Sequence, residues 1–173
     1  SADVHILLNK RNIVMLGVTS HFGDLTSEEG ALSTIRSIDP DLIINTIALT
    51  DVDLAERKIE IALQCNFLTC CYLASAASKY KIPIVQISTD QVFDGSKGMY
   101  RELDRCNPLN FYGLTKHLAE QAVLKICADS LVIRTNFFGW GPSYRRSFSD
   151  CIIDKVASGQ VFETYSDVFF TPV

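Results

Sequence analysis

The sequence predicts an α/β protein built on a doubly wound parallel sheet, and three observations carry that expectation. Short apolar runs alternate with helix-forming stretches along the chain, as repeated strand-helix-strand units require. The runs around Leu42-Ile43-Ile44 and Ile84-Val85 are continuous and β-branched, the pattern of strands covered on both faces. The 173 residues are 47% hydrophobic and 21% charged, enough apolar material for one domain with a substantial core.

Taken in order, residues 4–8 form an apolar run closed by Asn9-Lys10-Arg11, and residues 18–23 form a second, closed by Asp24. Ser27 reads as an N-cap, Glu28 and Glu29 as an acidic first turn, and Ala31, Leu32, Ile35 and Ile38 as a helical apolar face ended by Asp39-Pro40. Residues 41–45 are then a buried strand. From 55 to 80 the residues are mostly helix formers, and Lys79 and Lys81 suit the negative end of a helix. A strand over 82–87, a helix over 108–126, a strand over 131–134 and an amphipathic helix over 148–157 complete the alternation. No repeat, low-complexity segment or linker divides the chain. In such a sheet, ligands bind beyond the carboxyl ends of the strands, which directs attention to the residues after Asn9, Gly23, Ile44, Ile87 and Arg134.

Sixteen Lys and Arg against twenty Asp and Glu give a net charge of -4 with no long basic block, which argues against a nucleic-acid partner. No apolar stretch approaches the ~20 residues of a bilayer span, so no membrane helix is expected. The opening residues place their cations after the apolar run, the reverse of a secretory signal, so the expected location is cytoplasmic. The six cysteines contain no Cys-x-x-Cys pair and read as reduced, mostly buried thiols. His5, His21 and His117 stand at no ligand spacing, so no metal site is expected.

Two segments carry chemistry. Tyr112 and Lys116, four apart in Tyr112-Gly113-Leu114-Thr115-Lys116, share a helix face. A phenol ordinarily titrates near ~10, and an adjacent ammonium stabilises its anion at about 1.4 kcal/mol per unit of lowering. The same pair also occurs on ordinary helix surfaces. Ser88-Thr89-Asp90 directly follows a strand, where the Thr89 hydroxyl could hydrogen-bond a reacting carbonyl, although these residue types also favour plain turns.

Together these segments, with Val92-Phe93-Asp94-Gly95, Tyr100-Arg101-Glu102, Asn107-Pro108-Leu109-Asn110 and Arg134-Thr135-Asn136-Phe137, resemble the extended short-chain dehydrogenase/reductases. Within them the chain is similar to the dTDP-4-dehydrorhamnose reductase group. Pro40-Asp41-Leu42-Ile43-Ile44-Asn45, Ala48-Leu49-Thr50, Val52-Asp53, Ala55-Glu56 and Asn66 extend the resemblance upstream. It implies a Rossmann-like domain over 1–173 and a nucleotide-sugar substrate. Tyr112 would be the proton donor, Lys116 would hold the nicotinamide ribose and lower the Tyr112 pKa, and Thr89 would position the carbonyl. Asp90 and Phe137 would contact substrate, with Phe137 standing where the family often has tryptophan. The following Phe138-Gly139-Trp140-Gly141 departs from the family's Trp-x-Tyr-Gly, and Trp140 reads equally as a packing residue.

Asp24 and Leu25 would lie near the adenine, Ala48, Leu49 and Thr50 along the cofactor, and Ile87 beside the nicotinamide. Asp24 reads equally as a turn residue. Asn9 followed by Lys10 and Arg11 lacks the carboxylate that repels a 2′-phosphate, which favours NADPH, with NADH as the alternative.

No Gly-x-x-Gly-x-x-Gly turn occurs, although this fold uses one to hold a pyrophosphate. The first βα unit and most of the C-terminal substrate-binding part therefore read as missing, and the sheet as incomplete, as in a piece of a longer reductase. The expected function is NADPH-dependent reduction of a 4-keto nucleotide sugar in deoxysugar and surface-polysaccharide synthesis, with a homodimer compatible. The alternatives are a non-catalytic NADP-binding subunit similar to the regulatory subunit of methionine adenosyltransferase, and an epimerase or dehydratase of the same fold.

Overall fold

A computed structural model describes residues 23–137, 139, 141, 146–161 and 163. The strands expected at 4–8 and 18–23, apart from Gly23, lie outside the described residues, as do Asn9, Lys10, Arg11 and Trp140.

Helix α1 (Glu28–Ile38) starts where Ser27 accepts a hydrogen bond from the Gly30 N–H and ends at Asp39 in the left-handed conformation. Strand β1 is Ile43–Asn45. Helix α2 (Val52–Arg57) is capped by Asp51, and the chain breaks at Lys58 before α3 (Ile59–Leu63). A π-helical turn, Gln64–Leu68, joins α3 to α4 (Thr69–Tyr80) in one rod. The single helix expected over 55–80 is thus corrected: it begins earlier, because Asp51 supplies a cap, and is interrupted at Lys58, a good helix former that gives no local warning.

Strand β2 (Ile84–Ser88) runs into a short 3-10 turn, Asp90–Val92, capped by Thr89. Helix α5 (Phe111–Ile126) follows the Asn110 cap, β3 is Ser130–Arg134, and α6 (Phe148–Ala157) has Ser147 and Asp150 as a reciprocal capping box.

The three strands are parallel in the order β1-β2-β3, with Ile44 beside Val85 and Ile87 beside Ile133. One face carries Ile43, Ile84 and the buried amides Asn45 and Gln86, covered by α4 and α5 with α1 packed on α4. Ala74, Ala76 and Ala77 are fully buried in this layer, so α4 packs with little side-chain bulk. On the opposite face Ile44 is 48% exposed, and Leu131 and Ile133 are also exposed. The burial on both faces expected of residues 41–45 is met on one face only among the described residues.

The rod Ile59–Tyr80 has the length and composition to cross a membrane, contrary to the expectation from apolar runs alone. Its Cys70, Leu73, Ala74 and Ala77 belong to the core shared with α1 and α5, the ordinary state of a central helix in a globular domain.

Candidate functional site

Thr89 leaves β2 in extended conformation, and its hydroxyl caps the following turn by accepting from the Gln91 N–H at 3.3 Å. The first turn of α5 lies against this backbone. Gly113 permits the approach, since a Cβ there would stand 2.3 Å from the Gln91 carbonyl oxygen. The Asn110 amide, which caps α5, also donates to Gln91 Oε1 at 2.9 Å.

This docking brings the three expected catalytic side chains together. The Tyr112 side chain, 8% exposed, lies beside the Thr89 hydroxyl, close enough for that hydroxyl to favour the ionised phenol. One turn along, Lys116 is 3% exposed and donates from Nζ to the Ile87 carbonyl at 2.6 Å. Burial raises the Tyr112 pKa above the ordinary phenol value, the Asp90 charge adds to this, and Thr89 opposes it. The lowering expected from Lys116 is therefore corrected: desolvation dominates, and the phenol keeps its proton. Burial likewise pulls the Lys116 ammonium down, against the neighbouring Cys70 and Glu120 side chains, which favour it.

Asp90 accepts from the Asn136 amide at 3.2 Å, which ties the end of β3 to the Thr89-Asp90 turn. Phe137, the next residue, is 77% exposed, so its side chain is not gathered into the cluster. Asp24 accepts from the Thr26 N–H at 2.8 Å and from the Ser27 hydroxyl at 3.0 Å, which makes it a turn residue in this structure. Leu25 packs against the core.

The loop after β1 is held by a residue for which no structural role was expected. Asn66, fully buried in the π-helical turn, accepts from the Leu49 N–H at 2.7 Å and donates to the Leu49 carbonyl at 3.2 Å and to Thr115 Oγ1 at 3.0 Å. Thr115 in turn donates to the Tyr112 carbonyl. Leu49, between Ala48 and Thr50, also packs against the buried cluster of Ala55, Ala62 and Tyr112. A second buried chain runs from the Asn45 amide to Gln86 Oε1 and Cys70 Sγ, and from Cys70 to the Asn66 carbonyl. Burial drives the Cys70 thiol up to about 11. Of the six free cysteines only Cys70 and Cys127 are buried, so the expectation of mostly buried thiols is corrected.

Cys106, His117 and Glu120 place potential ligand atoms within 4.8 Å of one another, a grouping the sequence spacing conceals. Arg134 stands among them, bonded to Glu120 Oε1 and Oε2 at 2.9 and 2.7 Å and to Cys106 Sγ at 3.2 Å.

A family model described as the RmlD substrate binding domain matches residues 2–173. The chain belongs to this family. It is 40% identical over 155 residues to the dTDP-4-dehydrorhamnose reductase of Escherichia coli K12, covering 89% of this chain and 51% of that protein. It is similar to the crystal structure of a dTDP-4-dehydrorhamnose reductase from Clostridium acetobutylicum, with a TM-score of 0.79 and 29% identity over 87% of this chain and 53% of the other. A Bacillus anthracis dTDP-4-dehydrorhamnose reductase in complex with NADP gives a TM-score of 0.75 and 27% identity over 82% and 50% of the two chains. The chain thus spans about half the length of the curated relatives it matches. These RmlD-family likenesses bear out the Rossmann-like α/β architecture.

Proposed function

We propose that this chain forms the cofactor-side half of an NADPH-dependent reductase acting on a 4-keto nucleotide sugar. The observation that carries the reading is the buried Tyr112 phenol beside the buried Thr89 hydroxyl, with the buried Lys116 ammonium one turn along the same helix. The residues fit the nicotinamide-ribose end of the cofactor. Lys116 offers three N–H donors, one goes to Ile87, and no carboxylate forms an ion pair with it among the described residues. Two donors on a buried cation suit the adjacent hydroxyls of a ribose. The NADP complex of the Bacillus anthracis relative supports the choice of cofactor.

Bound NADPH supplies the hydride. The raised pKa keeps the Tyr112 phenol protonated at neutral pH, which is the form that gives a proton to a carbonyl oxygen as charge builds there. Thr89 orients that oxygen by hydrogen bonding, and Lys116 holds the ribose.

The test is Tyr112→Phe in the intact gene product, assayed by NADPH oxidation with dTDP-4-dehydrorhamnose. Loss of a general acid lowers kcat by about 10²–10⁴-fold, while nucleotide affinity stays near wild type. Turnover equal to wild type would end this reading.

A further inference from the structure

Glu120 lies on the face of α5 that bears Tyr112 and Lys116, one turn beyond the lysine, and its side chain is 3% exposed. Burial pushes its pKa up, but the two hydrogen bonds from Arg134 and the guanidinium charge outweigh burial and hold it below the ordinary carboxylate value. Arg134 is the last residue of β3 and is in register with Ser88 at the end of β2. Its guanidinium does more than pair with Glu120. Nη1 donates to the Glu102 carbonyl at 3.2 Å, Nη2 contacts Cys106 Sγ, and Cζ stands 5.0 Å from the centre of the Phe93 ring.

Phe93 opens a segment that returns on itself. Its ring stacks on Tyr100 at 4.3 Å, the Tyr100 hydroxyl and the Asn107 amide both donate to Asp94, and the Asn107 N–H donates to the Val92 carbonyl at 2.9 Å. The segment joins the Thr89-Asp90 turn to the Asn110 cap of α5, so its position bears on both halves of the site. One guanidinium grips it at three places and anchors it to a buried carboxylate on the helix of Tyr112 and Lys116.

We propose that Glu120 and Arg134 are positioning residues of the reductase site, the pair fastening segment 93–107 to α5 and so fixing where a substrate carbonyl can sit between Thr89 and Tyr112. This rests on the reductase reading above. Lysine at position 134 keeps the charge but, as a single-point donor, loses the planar fork that reaches Glu120, Glu102 and Cys106 at once. The carboxylate also acts on Lys116, which faces Glu120 on its own helix and Cys70 on α4, while Tyr112 faces Asp90 and Glu120 faces His117. Without the Glu120 charge the buried ammonium loses its proton more readily.

Two variants of the intact gene product separate these effects. Arg134→Lys raises KM for the nucleotide sugar about tenfold with a smaller change in kcat, and trypsin cuts at Lys97, Arg101 or Arg105 severalfold faster than in wild type. Glu120→Gln moves the alkaline limb of the kcat/KM profile to lower pH, and Glu120→Asp returns it toward wild type. Wild-type KM and nicking rate in Arg134→Lys, or a Glu120→Gln limb identical to wild type in a protein with a normal melt, overturns the proposal. A wild-type protein without reductase turnover refutes the functional reading instead, and the nicking rate then still decides whether Arg134 holds the segment.

Discussion

The Lys116 ammonium donates to the Ile87 carbonyl at 2.6 Å, so a charge carried by helix α5 is fixed against the backbone of the central strand. The same carbonyl also accepts from Gln86 Nε2 at 2.9 Å. It would therefore keep a partner if the lysine were lost.

That redundancy leads to the first prediction. Lys116→Met preserves the aliphatic stem, leaves Ile87 satisfied and removes a buried, unpaired charge whose desolvation is costly. Its thermal midpoint should equal or exceed that of wild type, while nucleotide affinity falls at least tenfold by titration. A variant that melts early with unchanged affinity would make Lys116 a stabilising residue and not a ligand.

Asn66 gives the second. Its amide satisfies both backbone groups of Leu49 and one hydroxyl on α5, so Asn66→Ala leaves buried polar groups without partners. Each such group costs about 1–3 kcal/mol. Denaturant titration should show a loss of at least 2 kcal/mol, and nucleotide affinity should fall with it because the loop of Ala48, Leu49 and Thr50 is released. Asn66→Asp keeps the acceptor for the Leu49 N–H but places a carboxylate against the Leu49 carbonyl, and should fare no better.

How much of this was legible in the residues depends on whether the information was local. The start of α1 was visible in Ser27 and its two glutamates, and α6 fell at the expected bounds because Ser147 and Asp150 cap it through neighbours. The union of Thr89, Tyr112 and Lys116 was reachable through motif resemblance. The role of Asn66 was not, since its partners lie 17 and 49 residues away. Nor was the Tyr112 pKa, because spacing shows which charge stands nearby but not how much water burial removes. Asp24 divided the two readings evenly, and its bonds to Thr26 and Ser27 show the turn.

Acid should weaken the fold in part through Glu120. Its folded pKa lies below the ordinary 4.5, so its contribution is fully present above that value and is lost as pH falls through the folded one. Asp24, Asp94, Asp104 and Asp150 are also held low and add to the acid sensitivity. The measurable quantity is a difference: the urea midpoint of Glu120→Gln should fall less than that of wild type between neutral pH and the region below the ordinary carboxylate range. Parallel curves would show that the Glu120 charge carries none of the pH dependence.

Thiol reactivity should follow exposure. Cys151 on α6 is exposed, whereas Cys70 is buried with its thiol raised to about 11, and Cys127 is buried too. Timed alkylation read by peptide mass should label Cys151 first, with Cys70 and Cys127 last and only on global opening. Early labelling of Cys70 would contradict the packing of α4 against β1 and α5.

Gly113 supplies a test in which helix propensity and packing predict opposite signs. In a free helix Gly→Ala stabilises by about 1 kcal/mol. Here the added Cβ would meet the Gln91 carbonyl oxygen at 2.3 Å and the Pro108 side chain at 3.1 Å, and the oxygen belongs to backbone that cannot swing aside. Relief requires α5 to move off the Asp90–Val92 turn, which separates Tyr112 from Thr89. Overpacking of this kind costs about 1–3 kcal/mol, so packing outweighs propensity. Gly113→Ala should melt below wild type and, on the reductase reading proposed above, lose turnover more than nucleotide affinity, because the displacement is greatest at the first turn of α5, where Tyr112 lies beside Thr89. A gain in stability, with turnover intact, would mean that the close approach of helix and turn is not needed by the fold or by the site.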